Sequence, residues 1–320
     1  MKIVFGPVPS RRLGRSLGIN NIPPKHCTYS CVYCQTGPTT KLEVTRQAFY
    51  PSERVVGEIL RALREAGERV DYITFVPSGE PTLDINLGLT AKLIKDRVNT
   101  PLAVLTNASL AWMEDVRCDL EVFDLVCVKV DSVVEGTWRR INRPHPQLKL
   151  KRVLEGVKRF AREYPGTLIT ETMLVKGVND KPEELKLLAD YVSKLEVKRA
   201  YIAVPTRPPA EPWVKPPTEE VLARAYAVFE ERLPHVELLI GYEGDAFAAS
   251  GDAAHDLLSI TAVHPMREGA VEELLARDRA DWRVVEELIH ARKLVELEYS
   301  GHRFYMRALP SRSPRKRPEN

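Results

Sequence analysis

Three cysteines, Cys27, Cys31 and Cys34, stand within eight residues in the segment HCTYSCVYCQ. The spacing C-x3-C-x2-C lets three thiolates take three corners of one cubane [4Fe–4S] cluster, which leaves one iron without a protein ligand. An iron with an open position can bind and activate a small chelating molecule. The chain has five cysteines, an odd number, and with three of them so close together the pattern points to metal or redox chemistry rather than a disulfide framework. The competing reading is zinc held by the three thiolates and His26. Zinc motifs commonly pair two C-x2-C units, and no second pair is present. Cys118, at a helix end, and Cys127, inside the apolar run LVCVKV, are expected to be small buried side chains.

Other polar groups gather where strands should end. PSGEP at 77–81 follows an apolar run and offers the carboxylate of Glu80 beside Gly79, whose missing side chain lets the backbone edge approach a ligand closely. Thr106 and Asn107, then Lys129, Asp131 and Ser132, then Glu171 close later runs, at the edge where parallel α/β folds place ligands. Two proline-stiffened loops, INRPHP at 141–146 and TRPPAEPWVKPP at 206–217, carry Arg143, His145, Arg207 and Trp213, and PSRRLGR at 9–15 adds Arg11, Arg12 and Arg15. Guanidinium groups presented this way suit an anionic substrate.

The elements that must position these groups follow from hydrophobic periodicity. Short apolar runs at 16–22, 71–77, 102–107, 125–131, 168–175 and 200–205 alternate with amphipathic windows at 52–68, 85–97, 110–117, 148–163, 181–194 and 218–232. This is an α/β pattern of six strand–helix units, an open barrel or a doubly wound sheet. After the apolar piece 236–242, Gly241, Gly244 and Gly251 mark a boundary. Helices at 253–261, 268–278 and 282–292, the last capped by Asp281, then lead into a hairpin, the layout of a winged helix-like α+β domain. His302, Arg303, Tyr305 and Arg307 of that hairpin could hold an anionic partner. The chain has 320 residues, 44% apolar and 28% charged, with net charge +3. That suffices for a large core plus a small appendage and gives no general argument for nucleic acid. No apolar run is long enough to span a membrane, and the first residues do not read as a signal peptide, so a cytoplasmic location is expected.

The cysteine spacing, with Tyr33 just before the third cysteine on the loop after the first strand, resembles the signature of the radical S-adenosylmethionine superfamily. The resemblance implies a partial (β/α)6 TIM-like barrel, a [4Fe–4S] cluster on Cys27, Cys31 and Cys34, and S-adenosylmethionine chelating the open iron. It also implies reductive cleavage to a 5′-deoxyadenosyl radical that abstracts hydrogen from an anionic small molecule, RNA or peptide, with a one-electron reductant such as ferredoxin or flavodoxin. PSGEP resembles the Gly-Gly-Glu-Pro element that binds the amino group of adenosylmethionine, with Ser78 at the first glycine. Tyr33, Thr106, Asn107, Lys129, Asp131 and Ser132 would then face the cofactor, and Arg143, His145 and Arg207 the substrate. Residues 1–245 would form the core domain, 252–310 the winged helix-like domain and 311–320 a disordered basic tail.

The phrases FGPVPSRRLGRSLGINNIPPK, INRPHP, ETMLVKGVND and TRPPAEPW resemble a group related to the wyosine-forming tRNA-modifying enzymes. Those enzymes carry upstream cysteines for a second cluster, whereas residues 1–26 here hold none. A tRNA base-modifying reaction of that type is therefore an alternative. A different class, an iron–sulfur redox sensor that binds DNA, is disfavoured by the near-balanced charge of the candidate recognition helix at 281–294.

Replacing Cys27, Cys31 or Cys34 by Ala should abolish cluster assembly, whereas Cys118→Ala and Cys127→Ala should keep about four irons and four sulfides per chain. Iron and sulfide analysis after anaerobic reconstitution checks this, and iron loss in either of the last two variants would contradict the ligand assignment.

Overall fold

The computed structural model describes residues 2–66, 69–240, 251–262, 265–299 and 301–308. The boundary glycines Gly241 and Gly244 and the tail 311–320 lie outside the described residues. The chain opens with an antiparallel hairpin, β1 (Val4–Ser10) and β2 (Gly14–Ile19), followed by the short pieces β3 (His26–Cys27) and β4 (Lys41–Leu42). Strand–helix units then follow: α1 (Ser52–Glu65), β5 (Tyr72–Phe75), α2 (Leu87–Lys95), β6 (Leu102–Thr106), α3 (Glu114–Leu120) and β7 (Leu125–Lys129). Two helices, α4 (Glu135–Asn142) and α5 (Leu150–Glu163), precede β8 (Thr167–Met173). After it come α6 (Pro182–Val192), β9 (Arg199–Ala203), α7 (Glu219–Glu230) and β10 (Val236–Leu239).

These strands form one eight-stranded sheet in the order β1-β2-β5-β6-β7-β8-β9-β10, parallel from β2 onward and curled into a half-barrel. The six expected strands are β2 and β5 to β9; β1 and β10 extend the sheet at its two edges. Alternation along each strand divides the core between two faces. On β6 and β7, Leu102, Val104, Val126 and Val128 face the helices, whereas Ala103, Leu105, Leu125 and Cys127 face the barrel interior with Ile169, Tyr201, Ala203 and Leu239. Cys127 is thus 1% exposed, as its sequence context predicts.

Cys118 departs from expectation and is exposed. The short α3 buries Val116, Arg117 and Leu120, which turns position 118 outward. Arg117 tolerates this interior place because Glu163 accepts from its Nε at 3.0 Å and the Ala111 and Trp112 carbonyls accept from Nη1. Residues 135–142 form a helix that the periodicity reading left out. It stops at Arg143, which adopts left-handed φ of 45° immediately before Pro144. Among the described residues no helix is long and apolar enough to cross a membrane.

The C-terminal unit comprises α8 (Ala253–Ile260), β11 (Met266–Arg267), α9 (Glu268–Arg277), α10 (Arg283–His290), β12 (Leu294–Tyr299) and β13 (His302–Arg307). Its three-stranded sheet has the order β11-β13-β12. The capping residue of α10 is Trp282 rather than Asp281, although Asp281 still accepts from Arg283 N at 2.9 Å. Of the hairpin's expected binding groups only Tyr305 is turned inward, at 1% exposed; His302 and Arg303 are exposed, Arg303 pairing with Glu268 at 2.9 Å, and Arg307 Nη1 donates to the Leu258 carbonyl.

Phe5 and Val8 of β1 belong to the same apolar cluster as Leu257, Val271, Leu274 and Val285, so this unit closes over the barrel edge. Tyr299 adds a hydroxyl bond to the Pro205 carbonyl at 3.2 Å. Leu257→Ala, at a site with no exposure, should lower stability by about 2–5 kcal/mol. Urea denaturation checks this, and a change under 1 kcal/mol, roughly the scale of one buried methylene, would mean that the unit is not packed as described.

Candidate metal centre and active-site cavity

The cluster loop runs from β3 across the C-terminal ends of the parallel strands. It is fixed there by backbone bonds to two other elements, the end of α4 and the PSGEP turn. Ser30 N donates to Asn142 O at 3.0 Å, Val32 N to Ile141 O at 2.9 Å, and Glu80 N to His26 O at 3.0 Å. Lys25 N donates to Ser78 O at 2.6 Å, so the PSGEP turn is docked against the start of the loop. Gly79 is required by that docking: a Cβ at this position would lie 2.0 Å from the His26 carbonyl oxygen.

Each cysteine sulfur has its own donor. Asn107 Nδ2 approaches Cys27 Sγ at 3.7 Å, Asn142 Nδ2 approaches Cys31 Sγ at 3.4 Å, and Lys25 Nζ lies 3.7 Å from Cys34 Sγ. Thr36 Oγ1 is a second partner of Cys34 at 3.2 Å. The electrostatics differ along the triplet. Burial, reinforced by the charges of Glu80 and Cys31, pushes the Cys27 thiol far up. Burial and the Asp131 charge push Cys31 up to about 12 against the Asn142 bond. At Cys34 burial is the largest single influence, yet Lys25 and the Thr36 bonds together bring the thiol below its usual value.

Two of the three sulfurs therefore need a cation to become thiolates, and three soft sulfurs with outer donors suit iron. His26 Nδ1 is bonded to Glu43, and its ring packs edge-on against Phe49 at 5.3 Å.

The cysteines line a cavity of about 320 Å³ over the barrel interior. Of the residues singled out in the sequence, Tyr33, Ser78, Gly79, Glu80, Thr106 and Asn107 line it, as do Lys129, Asp131 and Arg207. Ser132, Arg143 and His145 lie outside its lining. Ser132 Oγ accepts from Val134 N at 3.0 Å, Arg143 pairs with Glu211, and His145 Nδ1 accepts from Gln147 N at 3.3 Å.

Glu80 is 1% exposed and accepts from Thr82 N at 3.1 Å, Thr82 Oγ1 at 2.7 Å, Thr106 Oγ1 and Asn107 N at 2.8 Å. Burial still outweighs these bonds and raises its carboxyl above the usual range, so the pocket favours a cation beside it. Ser78 Oγ, in the same wall, is buried and has no hydrogen-bond partner among the described residues, an orphan group of the kind a polar ligand satisfies.

Asp131 ties the site together. It accepts from Tyr33 Oη, from Asn142 Nδ2 at 2.6 Å and from Met173 N at 2.8 Å, while its carbonyl accepts from Asn179 Nδ2. Lys129 Nζ bonds Glu171 at 2.9 Å and sits 4.9 Å from the centre of the Tyr33 ring. Arg12, from the β1–β2 turn, pairs with the other Glu171 oxygen.

Sequence reasoning passed over Lys25 and Asn142. A lysine two positions before the first cysteine was the available signal for the former. The latter left none beyond its place next to the stiff RPHP segment.

The sequence profile of the Radical SAM superfamily matches residues 21–189, which contain the cysteine loop and β5 to β8. A UPF0026 protein of Methanocaldococcus jannaschii is 44% identical over 98% of this chain and 98% of its own length. Among solved structures, a radical SAM methyltransferase from Sphaerobacter thermophilus aligns with TM-score 0.51 and 18% identity, covering 70% of this chain and 66% of that one. A structure of TYW1 with a lysine–pyruvate adduct bound aligns with TM-score 0.50 and 16% identity, covering 68% and 73%. At these identities the two structures share the fold.

Gly79→Ala should separate the PSGEP turn from the cluster loop and lower iron retention after gel filtration to less than about half that of the parent, because backbone cannot yield to a contact so short. Full iron content in this variant would show that the docking is dispensable.

Proposed function

Because the chain belongs to the radical SAM superfamily, we propose that it binds one [4Fe–4S] cluster through Cys27, Cys31 and Cys34 and S-adenosylmethionine beside it, and that it abstracts hydrogen from an anionic substrate. The observation that carries this reading is the shared cavity: three sulfurs with separate donors face the same space as a buried carboxylate and an orphan hydroxyl. When bound, the cluster and adenosylmethionine supply one-electron cleavage of the sulfonium bond and a 5′-deoxyadenosyl radical.

The chain's own residues bind and orient. Glu80 attracts the ammonium of the methionine moiety, and Ser78 Oγ gains a partner from its polar end. Thr106 and Asn107 hold the Glu80 carboxylate toward the cavity. Lys129, presented over Tyr33, offers a cation to the methionine carboxylate. Asp131 and Ser132 act as positioning residues, the first by fixing Tyr33 and Asn142, the second by capping the turn before α4.

The substrate end of the cavity lies toward β8, β9 and the β1–β2 turn, where Arg12, Glu171, Met173 and Arg207 line the wall. These guanidinium groups support an anionic group on the substrate. Arg143 and His145 would reach only a part of the substrate that extends beyond the cavity. A ferredoxin- or flavodoxin-like protein is the reductant in this reading. The surface of α10 does not favour a DNA-binding regulator, because Arg283 is paired with Asp281 at 2.7 Å beside exposed Glu286 and Glu287.

Glu80→Gln should retain the cluster while weakening adenosylmethionine binding about tenfold, as a charge-assisted bond to the ammonium becomes neutral. Both Glu80 oxygens accept hydrogen bonds, so the new amide must also avoid the Asn107 N–H, and iron content is measured alongside anaerobic calorimetry. Unchanged affinity at matched iron content would reduce PSGEP to a turn.

A further inference from the structure

The outer side of the cluster loop is covered by three segments: the end of α4, the β8–α6 connection and the loop 206–217. They are joined to one another. Lys176 N donates to Lys215 O at 3.0 Å, and Arg140 Nη1 donates to Gly177 O at 3.3 Å. Arg140, Lys176 and Lys215 are therefore neighbours on one exposed surface, together with Trp213, which is 44% exposed. Among the described residues none of these three cations has an acidic partner. Of the acids on the same elements, Glu211 is paired with Arg143 and Glu135 with Arg139 at 2.7 Å, while Asp180 lies beside this surface with its Oδ2 accepting from Gly177 N at 2.9 Å, so three cations face one acid that pairs with no cation among the described residues.

Directly beneath lies an apolar layer of Val32, Ile141, Val175, Val178 and Val214. Val32 sits between Cys31 and Cys34, and its carbonyl accepts from Glu211 N at 3.0 Å. One hydrogen bond thus joins the surface loop to the segment that carries two cluster ligands. None of Arg140, Lys176, Trp213 or Lys215 lines the cavity. A molecule seated on this surface touches the back of the cluster loop without placing a group in the reaction space.

From this juxtaposition we propose that the surface docks an acidic one-electron redox protein, the donor to the cluster; the proposal rests on the cluster reading given above. A cationic patch with an exposed tryptophan on the same loop as Lys215 provides steering charge and an aromatic anchor for such a partner. Its position supplies a short route inward through Val32. The step balances simply: the reduced carrier, flavin- or iron–sulfur-based, loses one electron, the cluster gains one, and no atom or proton need move. A nucleic acid substrate would also meet cations and an aromatic ring here, but its reacting group would have to reach a cavity to which these residues contribute nothing.

The test uses the full-length, cluster-loaded protein and the double variant K176E/K215E, whose lysine side chains have no hydrogen bond or ion pair among the described residues. Anaerobic formation of 5′-deoxyadenosine is measured with dithionite and, separately, with an acidic flavodoxin kept reduced by its reductase. The expected result is unchanged iron content and dithionite-driven rate, with a flavodoxin-driven rate about tenfold lower at low salt and a difference that closes as salt is raised. Equal flavodoxin-driven rates for parent and variant at low salt would overturn the proposal. So would a loss of tRNA binding in the variant with its flavodoxin-driven rate intact, which would assign the surface to RNA. Absence of deoxyadenosine from the parent with dithionite would overturn the radical reading itself, an outcome distinct from failure of the surface alone.

Discussion

As the metal ligands proposed above, three sulfurs on one short loop would have to be taken out of water and still carry negative charge, and the rest of the structure is arranged around that constraint. Burial, with the neighbouring negative charges, drives Cys27 and Cys31 toward the neutral thiol, so binding of a metal there would be coupled to loop closure. The hydrogen-bond donors come from three separate places: Asn107 at the end of β6, Asn142 at the end of α4, and Lys25 just ahead of the loop. No local stretch of sequence could supply all three. The sulfurs acquire their environment only when the curled sheet has brought those strand and helix ends together.

The same convergence explains why polar residues survive in so buried a region. Asp131 is 4% exposed, yet its acceptors are engaged by Tyr33, Asn142 and Met173, which removes the penalty of an unpaired buried carboxylate. It also makes the aromatic ring beside Cys34 and the amide beside Cys31 parts of one network. The network extends to Asn179, whose side chain bonds both the Asp131 and Met173 carbonyls. The β8–α6 connection, and with it the exposed cationic surface, is thereby fixed relative to the cluster loop.

Much of this was legible in the sequence, for physical reasons that differ by element. Most of the parallel strands are apolar runs because both faces are covered, so β5 to β9 stand out. The segment of β1 also has a strand-like pattern, but Pro7 and Pro9 interrupt it and it does not count among the six expected strands. It tolerates them because it lies at the sheet edge, where missing ladder donors cost little. Helix α4 was hidden by its ending: Arg143 takes a left-handed conformation before proline without the glycine that commonly signals such a stop. With α4 unread, Asn142 could not be seen as a donor to Cys31, nor could it be seen that Arg143 and His145 stand outside the cavity lining. Gly79 was legible as a close approach, but not that the approaching group is the chain's own His26 carbonyl. Long-range docking of this kind has no local signature.

In the proposed function the cysteine triplet holds a cubane with one iron open to adenosylmethionine. Electron paramagnetic resonance of the singly reduced protein, recorded anaerobically with and without adenosylmethionine, addresses it most directly. A cubane signal whose g-values change when adenosylmethionine is added is the result the account predicts. A protein that carries zinc and gives no signal, or a cluster signal indifferent to adenosylmethionine at saturating concentration, would contradict it.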